Sequence, residues 1–108
     1  MYTYFTTVTM ASADSLTAVI NLAPSYRTVY LEVPTFPSVS TLYIRGAEQS
    51  GGTFRRICEA TDNVNAEFQI DAGQSNKWVR IPAFPFIKVE AASAPSIAIT
   101  FNIFATQY

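Results

Sequence analysis

The sequence predicts an all-β fold: a single antiparallel β-sandwich, jelly-roll-like, of about eight or nine short strands. Three observations carry this prediction. Short runs rich in Val, Ile, Thr, Tyr and Phe alternate apolar and polar residues with a period of two. Clusters of Gly, Pro, Ser, Asn and Asp separate the runs at spacings of about 8–12 residues. The chain has 108 residues, 49% of them apolar, which suits one domain with one core.

The opening run YTYFTTVT (2–9) is strongly β-prone, and residues 1–10 are expected to form an N-terminal arm ahead of a sandwich domain spanning 11–108. Ala11 to Ile20 is the one helix candidate, with Ser12 or Asp14 as cap, and its β-branched end limits it to a short turn. TAVINL (17–22) is a short strand, and Ala23-Pro24-Ser25 ends it. In YRTVYLEV (26–33), Val29, Leu31 and Val33 face one way while Tyr26, Thr28, Tyr30 and Glu32 face the other.

Pro34 to Ser38 then breaks the chain, and VSTLYIR (39–45) sets Leu42 and Ile44 against Tyr43 and Arg45. Gln49-Ser50-Gly51-Gly52 is the clearest hairpin turn. TFRRICEA (53–60), AEFQI (66–70) and KWVRI (77–81) are shorter runs, divided by turns at 61–63 and 71–76. Pro82 ends KWVRI and Pro85 starts the run FIKVEA, so Pro82-Ala83-Phe84-Pro85 reads as a stiff corner between strands. In IAITFNIFA (97–105), Ile97, Ile99, Phe101 and Ile103 share one face, and Ala98, Thr100, Asn102 and Phe104 share the other.

Charged residues make up 14% of the chain, below the roughly 25% of ordinary soluble domains, so Thr, Ser, Asn, Gln and Ala must cover much of the surface. A surface of that kind suits a subunit that lives in an assembly. Net charge is −1 with no basic stripe, and the adjacent Arg55 and Arg56 point to opposite faces, so no nucleic-acid partner is expected. No apolar run is long enough to span a bilayer, and the N-terminus lacks the regions of a secretory signal. The chain reads as a complete product made in the cytosol. Cys58 is the single cysteine and is expected as a small buried hydrophobe.

Chemistry is scarce. Histidine is absent, which removes the usual general base and the commonest metal ligand. Glu32, Glu59, Glu67 and Glu90 lie on predicted strands as solvated carboxylates. Asp14, Asp62 and Asp71 are single turn residues without the spacing of a calcium loop. Neither catalytic residues nor a cofactor or metal site is expected, and the chain reads as a non-enzyme.

Aromatics are the unusual resource: eight Phe, six Tyr and one Trp. Phe54, Phe68 and Phe101 fit the core, whereas Trp78 is placed to face away from it. Tyr2, Tyr4 and Phe5 crowd the N-terminus, Phe36, Phe84 and Phe86 lie in or beside proline-broken segments, and Tyr108 ends the chain. These seven residues form the candidate interface, docking on a neighbour or, for the arm, on the edge of the domain's own core.

From Ser25 onward the order of features resembles the small β-sandwich structural proteins of tailed bacteriophages. The stretches that carry the resemblance are STLYIRGAEQSGGTFRRI, FPFIKVEAASA and SIAITFNIFA. Glu48-Gln49-Ser50-Gly51 stands where relatives often have a serine-aspartate-glycine turn. The resemblance implies a virion component without catalytic residues, assembled in the host cytoplasm. A capsid decoration (cement) protein, forming a homotrimer on the major capsid protein, is the leading placement, with a head–tail or tail accessory as the alternative; the short, weakly charged single domain favours decoration over a fibre.

A carbohydrate-binding module is the competing expectation. KWVRI and PFIKVEA resemble stretches of sugar-binding sandwiches of the discoidin type. Trp78, Tyr43 or Tyr30 would then supply a stacking platform flanked by Arg45 or Arg80.

Overall fold

The computed structural model describes residues 3–22, 26–35, 41–61, 64–71 and 74–107. Strands follow one another along the chain as β1 (Thr3–Met10), β2 (Ile20–Asn21), β3 (Thr28–Val33), β4 (Thr41–Ala47), β5 (Arg55–Arg56) and β6 (Cys58–Thr61). After these come β7 (Val64–Glu67), β8 (Gln69–Asp71), β9 (Lys77–Ile81), β10 (Phe86–Ala91) and β11 (Ile99–Thr106). No α-helix occurs among the described residues.

The strands form two antiparallel sheets. One has the order β1-β11-β3-β9; the other runs β2-β10-β4-β5, with β8 also paired to β4. Set β5 to β7 aside and the remaining eight strands pair from the outside in: β1 with β11, β2 with β10, β3 with β9, β4 with β8. That is one long hairpin, folded over so that β11 also meets β3 and β10 also meets β4. Such interleaving is the jelly-roll arrangement of a β-sandwich. The β6–β7 hairpin is an excursion between β5 and β8, anchored where the Ile57 amide donates to the Ile44 carbonyl and the Phe68 amide to the Ile57 carbonyl.

Alternation sorts each strand into an inward and an outward set. Val29, Leu31 and Val33 of β3 are buried, as are Leu42 and Ile44 of β4, Ile87, Val89 and Ala91 of β10, and Ile99, Phe101, Ile103 and Ala105 of β11. With Val8, Met10, Ile20, Leu22, Ile70 and Ile81 they make one continuous core between the sheets. Phe101 is its largest fully buried side chain. Among the described residues no buried side-chain nitrogen or oxygen lacks a hydrogen-bond partner, as a low-polarity core requires.

The Pro82–Pro85 corner carries the chain from β9 in one sheet to β10 in the other. Its Pro85 carbonyl accepts from the Leu22 amide. Phe84 lies against Gly46, whose missing Cβ would sit 2.8 Å from the ring and 3.1 Å from Ile57 Cδ1. The ring is 36% exposed, and glycine on β4 is what makes room for it.

Several expectations are corrected. The helix candidate at 11–20 instead runs beside β10 after a turn at Ala11–Asp14. The Thr17 amide donates to the Val89 carbonyl, the Val89 amide to Thr17 Oγ1, and the Ala91 amide to the Ser15 carbonyl. Pairing with a central strand supplies more hydrogen bonds than an isolated turn of helix could hold. Phe54 is half-buried on an outward face rather than in the core, and Phe68 packs only partly against the core. Ile97 is exposed because β11 begins two residues later. Cys58, expected as a buried thiol, is exposed on the β6–β7 hairpin.

Candidate interaction surface

The outward face of the β1-β11-β3-β9 sheet is built by strand register. Phe5 lies opposite Phe104, Phe104 opposite Tyr30, and Tyr30 opposite Arg80, so one row crosses all four strands. The neighbouring row is Thr7, Asn102, Glu32 and Trp78. Each of these side chains points away from the core because its strand neighbours, such as Leu31, Val79 and Ile103, point towards it.

Four aromatic rings thus share one face. The Phe5 ring lies 6.5 Å from that of Phe104 and 6.4 Å from that of Trp78, both at steep angles. Phe5 is 59% exposed and Trp78 46%, so together they leave an apolar patch open to water. Tyr30, Trp78 and Phe104 line an open, mainly apolar hollow of about 280 Å³. That is slightly below the usual size of pockets that enclose a small molecule, so the hollow suits a single ring or a protein side chain. Polar groups at its border are already engaged: Asn102 Nδ2 donates to Glu32 Oε1 at 2.7 Å. Arg80 marks the cationic end of the aromatic row.

The other sheet presents a different outward face. Lys88, Arg45 and Arg56 lie opposite one another across β10, β4 and β5, a row of three cations. Glu90, one position along β10 on the same face, takes hydrogen bonds from both guanidiniums: Arg45 Nε at 2.8 Å and Nη2 at 3.1 Å, Arg56 Nε at 2.8 Å and Nη2 at 3.1 Å. Arg56 also donates to Glu67 and lies 3.8 Å over the Tyr43 ring, while Lys88 sits over Phe54. Hydrogen bonds from Arg56, and then from Arg45, hold the Glu90 carboxyl down at about 2, and Glu90 in turn raises both arginines. The two guanidiniums of this face are held by its own carboxylates.

Of the expected interface residues, Tyr2, Phe36 and Tyr108 lie outside the described residues. Residues 3–10 of the segment read as an arm form β1, paired along its length with β11, which is the own-core-edge alternative for that backbone. Tyr4 stacks on Tyr26 with centroids 5.7 Å apart and packs against the core, whereas its neighbour Phe5 points outward into the aromatic face. Phe84 lies partly exposed against Gly46, and Phe86 is half-buried on the opposite sheet, between Asn21 and Ala47. The structure does not gather these four into one site.

Trp78, Tyr30 and Arg80 of the expected sugar platform do share a face; Tyr43 and Arg45 belong to the other sheet. Phe104 and Asn102 were not singled out for the surface. Their signal lay in the alternation of 97–105, which sets Phe104 outward, but ring-to-ring proximity across four strands depends on register that periodicity does not carry. No group of metal-ligating side chains occurs among the described residues. No family model, curated protein or solved structure was found to match this chain.

Proposed function

We propose that this chain is a non-enzymatic structural subunit of a tailed-phage virion, a capsid decoration protein that binds and reinforces the shell as a homo-oligomer. The observation that carries the reading is the exposed aromatic face made by Phe5, Phe104, Tyr30 and Trp78. Aromatic side chains concentrate binding energy at protein interfaces, and the only charges in the two rows across this face are Glu32, held by Asn102, and Arg80 at one end. A jelly roll is an architecture of viral capsid domains, and the resemblance of the sequence from Ser25 onward points the same way. The partner is accordingly a weakly charged, apolar patch of the major capsid protein, with copies of the chain itself beside it.

Co-sedimentation of the purified chain with tailed-phage shells stripped of their decoration protein tests this. The wild-type chain is expected to pellet with the shells and Trp78→Ala to stay in the supernatant. A folded wild-type chain that ignores the shells would sink the reading.

A carbohydrate-binding role is the second reading, favoured by Trp78 and Tyr30 sharing a face with Arg80 over the shallow hollow. Specific binding on a glycan array, lost in Trp78→Ala, would replace the shell by a glycan as the ligand. A silent array removes this alternative.

A further inference from the structure

The edges of the two sheets are unequal. On the second sheet, β2 and β5 have two residues each, and β8 has three and ends at Asp71. On the first, β9 begins at Lys77, carries Arg80 and is followed by Pro82. Shortness, charge and proline are the ordinary protections of a sheet edge. β1 has none of them. It is eight residues long, TYFTTVTM, without a charge, proline or glycine, and among the described residues no strand pairs with the side away from β11.

We propose that β1 is a self-pairing edge, through which two copies of the chain join antiparallel about a twofold axis at Thr6 and continue the β1-β11-β3-β9 sheet across the pair. The inference rests on the reading of the chain as an oligomeric subunit, and it specifies a twofold contact in place of the homotrimer that the resemblance implies. Cross-strand partners point to the same face, so the outward Phe5, Thr7 and Thr9 must meet outward residues, while Val8 stays on the core side. Odd-numbered residues therefore pair with odd-numbered ones.

Centring on Thr6 sets Thr3 opposite Thr9, Tyr4 opposite Val8 and Phe5 opposite Thr7. Each is a Thr–Thr or aromatic–β-branched pair, the kinds that stabilise antiparallel ladders. The occupant is a second copy because the same strand, run antiparallel about Thr6, offers each of these positions a β-branched or aromatic partner on the matching face and no opposing charge. With no charge on β1, no like charges meet at the axis. Phe5, the most exposed ring of the aromatic face, gains a partner's Thr7, and the two aromatic faces lie side by side on one broad surface.

Light scattering on the size-separated wild-type chain is expected to give the mass of two chains. Hydrogen exchange by NMR on the same sample is expected to protect consecutive β1 amides; an unpaired edge would protect only those that face β11. F5K/T7K sets like charges opposite each other twice and is expected to yield a single-chain mass, whereas F5K/T7E restores attraction and keeps the pair. Trp78→Ala leaves the pair intact.

A wild-type mass of one or three chains, protection of alternate amides alone, or a pair that survives F5K/T7K overturns the proposal. A paired chain that ignores shells would count against the functional reading and not against the pairing. A single-chain mass with shell binding would do the reverse.

Discussion

On the sheet ordered β1-β11-β3-β9, the outward row across all four strands is Phe5, Phe104, Tyr30 and Arg80; on the opposite sheet the comparable row is Lys88, Arg45 and Arg56. The first row is mostly apolar, and its rings remain open to water. The second is cationic throughout, and its two guanidiniums are answered by Glu90 and Glu67 within the chain. Both rows sit on the same core and obey the same alternation. The difference teaches that a side chain's partner, more than its polarity, marks a surface for binding. Arg45 and Arg56 are already occupied, whereas Phe5 and Trp78 remain largely open to water.

The largest effect expected from a single substitution should not distinguish the faces at all. Phe101 is fully buried on β11, opposite Val8. Phe101→Ala should cost about 3–5 kcal/mol through lost burial and the cavity left behind. Urea unfolding should show this loss, and binding and pairing should fail together with the fold. If binding failed while stability held, the core would not be the common support of the two faces.

Glu90 separates them. Its side chain is 13% exposed, and Glu90→Gln removes the charge that holds Arg45 and Arg56 side by side. A loss of about 2–3 kcal/mol is expected from weakened charge-assisted hydrogen bonds and the like charges left facing each other. The acid limb follows from the same contact. The folded carboxyl titrates at about 2 against an ordinary 4.5, so its contribution is fully present above about 4.5 and is lost as pH falls towards 2.

That difference corresponds to roughly 3 kcal/mol at most, and screening of the partly exposed guanidiniums brings the expected contribution to about 2 kcal/mol. Glu90→Gln should flatten the fall in stability between those pH values and leave shell binding unchanged. A variant that bound less well while remaining folded would give this face a role in binding.

Much of this was legible in the sequence. The fold class follows from period-two runs, and the prolines at 82 and 85 marked a corner between strands because proline fixes the backbone on either side of it; that the corner crosses between sheets is known only from the structure. Trp78 could be assigned outward because Val79 and Ile81 claim the inward side. The composition of the surface was harder to read. Phe5 and Trp78 are 73 positions apart, and their contact exists only because β11 and β3 lie between their strands in a particular register. Arg45, Glu90 and Arg56 read as isolated charges for the same reason. Non-local pairing is where periodicity stops being informative.

The contact between Gly46 and Phe84 offers a smaller test. A Cβ on Gly46 would meet Phe84 Cγ and Cδ1 at 2.8 and 2.9 Å and Ile57 Cδ1 at 3.1 Å. Gly46→Ala should therefore displace the ring at a cost of about 1–3 kcal/mol, since the contact cannot take an extra methyl without moving. Gly46→Ala combined with Phe84→Ala should recover part of that loss. No recovery would mean that Gly46 is needed for the backbone of β4 and that Phe84 is a bystander.

The smallest effect on stability should accompany the largest effect on binding. Phe5 and Trp78 are mostly surface, and their mutual contact with centroids 6.4 Å apart is an edge-type aromatic pair. Such a pair is worth about 0.5–1.5 kcal/mol, so Phe5→Ala and Trp78→Ala should each lower stability by about 1 kcal/mol or less, with a coupling of that order in the double-mutant cycle. If these rings are interface anchors, truncating Trp78 should weaken binding to shells by far more than that, because an aromatic anchor lost from the centre of an interface costs at least about 2 kcal/mol, or some thirtyfold in affinity. Comparing the two losses for each variant decides the matter. Equal losses would mean that the rings merely cover the sheet beneath them; unequal losses, with binding the greater, would make the outward face of β1-β11-β3-β9 the working surface of the protein.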